Sequence, residues 1–136
     1  MNKFIKSLVF ALMMICASTV ALAVPPAATI QKAKNVAESA QYQLPMQVYQ
    51  GLMVTQIKYD SSSYSLVYRY QFTVQIPQPS TDAINEAKLA MIHLVKANPN
   101  SEDAQLIKNG ITFQYNYYNA DGSYIYTIKI RPSDIK

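Results

Sequence analysis

The stretch Tyr64-Ser65-Leu66-Val67-Tyr68-Arg69-Tyr70-Gln71-Phe72-Thr73-Val74-Gln75-Ile76 decides the fold. Tyr64, Leu66, Tyr68, Tyr70, Phe72, Val74 and Ile76 alternate with Ser65, Val67, Arg69, Gln71, Thr73 and Gln75, and only Val67 breaks the polar set. Successive side chains of an extended backbone point to opposite faces. The alternation therefore predicts one long strand with an apolar face on a core and a polar face toward water. Pro77 and Pro79 stop it, because proline gives the ladder no donor.

Working upstream, Asp60-Ser61-Ser62-Ser63 reads as a turn, and Val48–Tyr59 as a strand in which Gly51 marks a bulge or bend. Ile30, Ala33, Ala37, Ala40 and Leu44 recur at intervals of three and four, the spacing of one helical face. Thr29 is the expected N-cap of that helix, and Pro45 ends it. Downstream, Ser80, Thr81 and Asp82 offer caps for a second helix with Ile84, Ala87, Met91 and Val95 as its buried stripe and Leu94 beside them. A short third helix follows, with Ser101 as cap, Glu102 and Asp103 in the first turn, and Gly110 at the stop. The chain closes with a hairpin. Ile111, Phe113, Tyr115 and Tyr117 share a face, Asn119-Ala120-Asp121-Gly122 turns, and Tyr124, Tyr126, Ile128 and Ile130 return. The order α-β-β-α-α-β-β predicts an α+β two-layer sandwich, a four-stranded antiparallel sheet with helices on one face.

The first 23 residues stand outside this pattern. Lys3 and Lys6 precede an apolar run from Leu8 to Ala17, and Ala21-Leu22-Ala23 supplies the small residues read by a signal peptidase, ahead of Val24-Pro25-Pro26. The expectation is a cleaved signal peptide over 1–23 and a single domain over 24–136, working in the periplasm or outside the cell. The small-residue exit and the prolines favour cleavage over a transmembrane anchor. The lone cysteine, Cys16, follows Met14-Ile15 rather than small residues, which argues against lipidation. The domain after Ala23 then has no thiol and no disulfide, and must stand on its core alone.

Composition excludes several classes of function. The formal charge of the precursor is +4, of which Lys3 and Lys6 supply two, and the remaining cations are scattered along the chain without a run. That argues against a nucleic-acid surface. His93 is the only histidine and falls opposite the apolar stripe of its helix. With no cysteine and no second histidine, no metal is expected. Gly51, Gly110 and Gly122 are the only glycines, so there is no glycine-rich phosphate loop, and no nucleophile elbow is present. No cofactor and no catalytic residue is expected.

Eleven Tyr stand against four Phe and no Trp. Tyrosine has an apolar body and a polar tip, which suits a sheet face that is half covered or that receives a partner. A strand running from Tyr64 to Ile76 would reach about 43 Å, whereas helices of about four turns span roughly 22–25 Å. One end of the sheet is thus expected to project past its cover.

Leu44-Pro45, Leu66-Val67-Tyr68-Arg69-Tyr70, Asn98-Pro99, Leu106-Ile107-Lys108-Asn109-Gly110-Ile111-Thr112, Tyr115-Asn116-Tyr117, Asp121-Gly122 and Pro132-Ser133-Asp134 together resemble a group of small uncharacterised exported bacterial proteins. The resemblance implies fold and compartment and carries no activity. Members of that group often have a cysteine before the Asn-Pro and another after the final Ser-Asp. Lys96 and Ile135 stand near those places here, so the disulfide the resemblance would imply is absent.

These readings lead to a non-enzymatic exported protein that acts by protein–protein contact, such as an envelope or secretion-system accessory factor. An immunity protein against a delivered toxin and a small-ligand carrier with a Tyr-lined pocket are the alternatives. Tyr117, Tyr118 and Tyr124 are the expected partner-binding residues. Tyr117 and Tyr118 face opposite layers, so the hairpin tip presents aromatic surface on both sides.

Overall fold

The structure, a computed structural model, describes residues 23–136. The expected signal peptide lies outside the described residues, apart from Ala23. Helix α1 (Ala27–Ala40) leads into strands β1 (Met46–Tyr49), β2 (Leu52–Asp60) and β3 (Ser65–Phe72). Helices α2 (Thr81–Ala97) and α3 (Glu102–Lys108) follow, then β4 (Thr112–Tyr118), β5 (Tyr124–Ile130) and a 3-10 turn over Pro132–Ile135. The α+β fold is as the alternation and helical spacing imply. The sheet has five strands in sequence order, rather than four. The extra strand comes from Gly51, which takes φ +82 and reverses the chain between Tyr49 and Leu52 instead of merely bending it. The sheet is also not wholly antiparallel. β3 and β4 run parallel, because α2 and α3 carry the chain back to the end of the sheet from which β3 starts.

β3 is shorter than the alternation implies. It ends at Phe72, and residues 75 and 76 are drawn instead to the β4–β5 turn. The buried Asn119 holds both polar groups of Ile76. Its Nδ2 donates to the Ile76 carbonyl and its Oδ1 accepts from the Ile76 N–H, each at 2.8 Å. Eight residues span about 26 Å, close to the length of α2 at about 1.5 Å per residue. The expected overhang of strand past helix is therefore absent.

Two bulges reset which residues share a face. Thr55 is an extra residue between the pairs Val54–Tyr70 and Gln56–Arg69, so Val54 and Ile57 both point to the helices. Ile125 is the extra residue between Tyr117–Tyr126 and Tyr118–Tyr124. It turns Tyr124 to the face opposite Tyr126, so the returning residues Tyr124, Tyr126, Ile128 and Ile130 do not all share one face.

The core lies between the sheet and α1 and α3. Ala33 and Ala37 of α1, Ala104, Leu106 and Ile107 of α3, and Val54, Leu66, Phe113, Ile128 and Ile130 of the sheet are buried. Gln41 fixes the end of α1, its Nε2 donating to the carbonyls of Ala37 and Ile57 at 3.0 Å. The caps of α2 and α3 are as expected: Ser80 Oγ accepts from the Ala83 N–H and Ser101 Oγ from the Ala104 N–H, both at 3.1 Å. The expected stripe of α2 meets the core through Ile84, Met91 and Val95, but only half-buried, and Ala87 is not part of it. No residue of α2 is buried, Ala87 is exposed, and Leu94 is 65% and Leu89 56% exposed.

Candidate functional site

α1 packs on β2 and α2 packs on β5, so β3 and β4 lie between the two helices on the covered face. The floor of this strip is aromatic. Tyr68 stacks on Tyr115 at 5.1 Å, Tyr70 meets Tyr117 edge-on at 5.2 Å, Phe72 stacks on Tyr117 at 6.1 Å, and Tyr126 lies flat on Tyr117 at 4.4 Å. These separations are those at which ring pairs attract beyond simple burial. The strip is graded. Under α3, Leu66 and Phe113 are fully buried; further along β3, Tyr68, Tyr70 and Phe72 are only half-buried, and along β4 Tyr115 is half-buried while Tyr117 is buried. Beside α1, a hollow of about 530 Å³ lies between Val36, Ala40 and Leu44, the sheet residue Ile57 and Glu102 of α3. On the other side, α2 turns Ala83, Ala87, Ala90 and Leu94 along one flank, three and four residues apart and all exposed.

Burial pushes the phenols of Tyr68, Tyr115 and Tyr117 well above the usual tyrosine range and that of Tyr70 up to about 12, with Asp103 adding a like-sign field at Tyr68, Tyr70 and Tyr115. Asp103 is itself raised, by desolvation first and by Glu102 second. The strip therefore presents neutral O–H donors and apolar rings, with carboxylates at its α3 end. Phenols held above their ordinary range are poor bases and poor nucleophiles at neutral pH. Among the described residues, none of these five hydroxyls on the strip, Tyr126 included, bonds to another protein group, and no group of three or more His, Cys, Asp or Glu converges as a metal site.

The three sequence-predicted residues separate. Tyr117 lies on the strip floor and is 7% exposed. Tyr118 and Tyr124 lie on the other face, which no helix covers. There Tyr118 carries the Arg69 guanidinium over its ring at 3.7 Å and meets Tyr124 edge-on at 5.8 Å. Tyr124 is 58% exposed and its hydroxyl pairs with Thr127 Oγ1 at 2.8 Å, which in turn donates to Asn116. His93 is exposed, away from both aromatic surfaces.

Residues 28–126 match the family model described as "Domain of unknown function (DUF8479)". The chain belongs to that family. No curated protein matches the sequence significantly. Three solved structures share the DUF8479 chain's fold. The pilotin EpsS of the Vibrio vulnificus type 2 secretion system aligns with TM-score 0.56 at 16% identity, over 79% of this chain and 92% of EpsS. The type II secretion system pilotin AspS of Vibrio cholerae aligns with TM-score 0.51 at 16% identity, over 78% of this chain and 91% of AspS. A Pseudomonas aeruginosa protein, described as secreted by inference, aligns with TM-score 0.55 at 8% identity over 85% of this chain and its whole own length. The likeness is one of fold.

Two elements of the site escape a linear reading of this DUF8479 sequence. Leu94 reads as a neighbour of the buried stripe of α2, although the Ala83, Ala87, Ala90 and Leu94 spacing marks a second apolar flank. Asp103 reads as a helix-start charge, with nothing local to show that it faces tyrosines. By contrast, Lys96 and Ile135, placed by resemblance near a cysteine pair, do line one small hollow together.

Proposed function

We propose that the protein is an exported, non-enzymatic accessory factor of a bacterial envelope or secretion machine that holds a segment of a partner protein on the aromatic strip between α1 and α2. The observation that carries this reading is the incomplete cover of the sheet: a helix of 17 residues with none buried and Leu94 exposed, over a face on which Tyr70 and Phe72 are only half-buried. Aromatic rings already packed against one another on a sheet lose little freedom when a partner covers them. Tyr is enriched where such contacts are made. The partner segment suited to the strip has apolar side chains for the rings, hydrogen-bond acceptors for the phenols, and a cation toward Glu102 and Asp103. The fold shared with two type II secretion pilotins supports an envelope role, and the export pattern of residues 1–23 supports the compartment.

The test is capture from periplasmic extract on immobilised protein, with each retained band identified and its affinity measured. Leu94→Glu is expected to lose the partner, and Tyr118→Ala to keep it. Loss with Tyr118→Ala and retention with Leu94→Glu would move the site to the uncovered face, with Tyr118 and Tyr124 as its anchors. A small molecule co-purifying in native mass spectrometry, with no protein partner, would replace this reading by the ligand-carrier one.

A further inference from the structure

The cations that look scattered in sequence are gathered by the fold. A concavity of about 740 Å³ opens where β3 and β4 begin and β5 ends, and Lys108, Lys129, Arg131 and Lys136 all line it. Four of the chain's 12 Lys and Arg are thus in one hollow, and none of its 8 Asp and Glu lines it. An adjoining hollow of about 390 Å³ shares Lys108 and Lys136 and adds Lys96, again with no Asp or Glu in its lining. The acids closest in sequence to its Ser133 and Ser63 rim are already engaged. Asp134 takes Lys88 at 3.6 Å and the Arg131 N–H at 2.8 Å, and Asp60 takes the hydroxyls of Ser62 and Ser63. Among the described residues, none of the four pocket cations is in an ion pair.

The chain's first described residues form part of the same rim. Ala23, Val24 and Pro25 line the concavity, and Pro25 is buried against Gly110, where an added Cβ would stand 3.0 Å from the proline ring. Val24 beside it is 69% exposed. Whatever precedes Ala23 therefore leaves the domain at its cationic end.

We propose that this end of the domain docks on an anionic phospholipid surface, with phosphate headgroups entering the concavity between Lys108, Lys129, Arg131 and Lys136. Long, exposed cations on a rim, with an apolar Val24 and Pro132 among them, match a headgroup layer: charge meets phosphate while short apolar groups reach the boundary beneath. The contact is electrostatic and peripheral. It orients the domain with the free ends of α3 and β5 toward the membrane, and leaves the strip between α1 and α2 on the side of the molecule. It is independent of the partner reading above.

The experiment is vesicle co-sedimentation of soluble protein purified from periplasmic extract, on phosphatidylglycerol mixed with phosphatidylcholine and on phosphatidylcholine alone. Binding is expected only to the mixed vesicles, and to vanish at ~1 M salt, where the Debye length is about 3 Å. Each cation removed from the concavity is expected to weaken binding roughly fivefold, so Lys129→Gln with Arg131→Gln loses roughly twentyfold or more. Lys34→Gln with Lys58→Gln, the same loss of charge elsewhere, is expected to bind within about twofold of the parent. All four side chains are exposed, and circular dichroism checks that the folds are equal. Equal losses in the two pairs would overturn the proposal, since only net charge would then matter. Equal binding to phosphatidylcholine alone would overturn it as well. So would release by inorganic phosphate that chloride of matched ionic strength does not reproduce, because the concavity would then be a free-anion site.

Discussion

α1 and α2 lie on the same face of the same sheet, yet one is sunk into it and the other rides above it. α1 meets the sheet through Ala33 and Ala37, which are 0% and 8% exposed. α2 meets it through Ile84, Met91, Ile92 and Val95, all half-buried, and buries nothing completely. Side-chain size sets how near a helix axis can come. Methyl groups let α1 settle onto Val54 and Ile57 of β2, whereas the branched and long side chains of α2 prop it up and leave its Ala83–Leu94 flank wet. α3, with Ala104, Leu106 and Ile107 buried, closes the gap over Leu66 and Phe113. The contrast separates what holds the fold from what is available to a partner.

The largest expected effect tests the sealed end against the open one. Phe113→Ala should cost about 3–5 kcal/mol by lost burial and cavity formation. Phe72→Ala, at the half-covered end of the same aromatic row, should cost only about 1–2 kcal/mol, because its ring is still partly in water. Urea denaturation of the two variants compares them, and equal costs would mean the strip is closed.

Alkaline titration probes the strip floor. Tyr70 has its folded pKa raised from 10.0 to about 12, so its contribution is fully present below pH 10 and is lost as pH rises through about 12. At about 1.36 kcal/mol per pH unit, that is about 2–3 kcal/mol. Tyr70→Phe should therefore lose less stability than the parent between pH 10 and 12, read from denaturation midpoints across that range. Identical losses would place Tyr70 in free solvent.

Next in size is the helix contrast itself. Ala33→Leu should cost about 1–3 kcal/mol by overpacking against the sheet. Ala87→Leu, on the exposed flank of α2, should stay within about 0.5 kcal/mol. Thermal melts of the two would break the comparison if α2 proved as sensitive as α1. The smallest stability effect is expected for Leu89→Glu and Leu94→Glu, both within about 0.5 kcal/mol. Only Leu94→Glu should weaken partner capture, since Leu89 lies on the far side of α2.

Where the sequence was a good guide, the reason was periodicity. The alternation through Leu66, Tyr68, Tyr70 and Phe72 and the Ile30–Ala33–Ala37–Ala40 spacing are local signals, and the structure follows them. The misreadings arose where the deciding contact is distant. Gly51 could bend or reverse the chain, and only pairing with Leu52 onward chooses reversal. The end of β3 is set by Asn119, 43 residues beyond Ile76. Nothing near Ile125 announces the bulge that turns Tyr124 away from Tyr126. The depth of α2 depends on the sheet it meets, and the cationic concavity assembles Lys108, Lys129, Arg131 and Lys136 from separate elements.

The parallel pairing of β3 with β4 has a consequence for the order in which the sheet forms. β1, β2 and β3 join through short turns, as do β4 and β5, but residues 73–111 must be traversed before Leu66 can meet Phe113. Closing so long a loop costs chain entropy before any contact repays it. The two antiparallel units should therefore organise first and dock late. Leu66→Ala and Phe113→Ala remove packing across the parallel seam, so they should mainly speed unfolding and give low φ-values in chevron plots, with higher values near the β4–β5 turn, as at Thr127. φ-values near one at Leu66 and Phe113 would reverse that order. The most deeply covered seam of the sheet is then the last that the folding chain reaches.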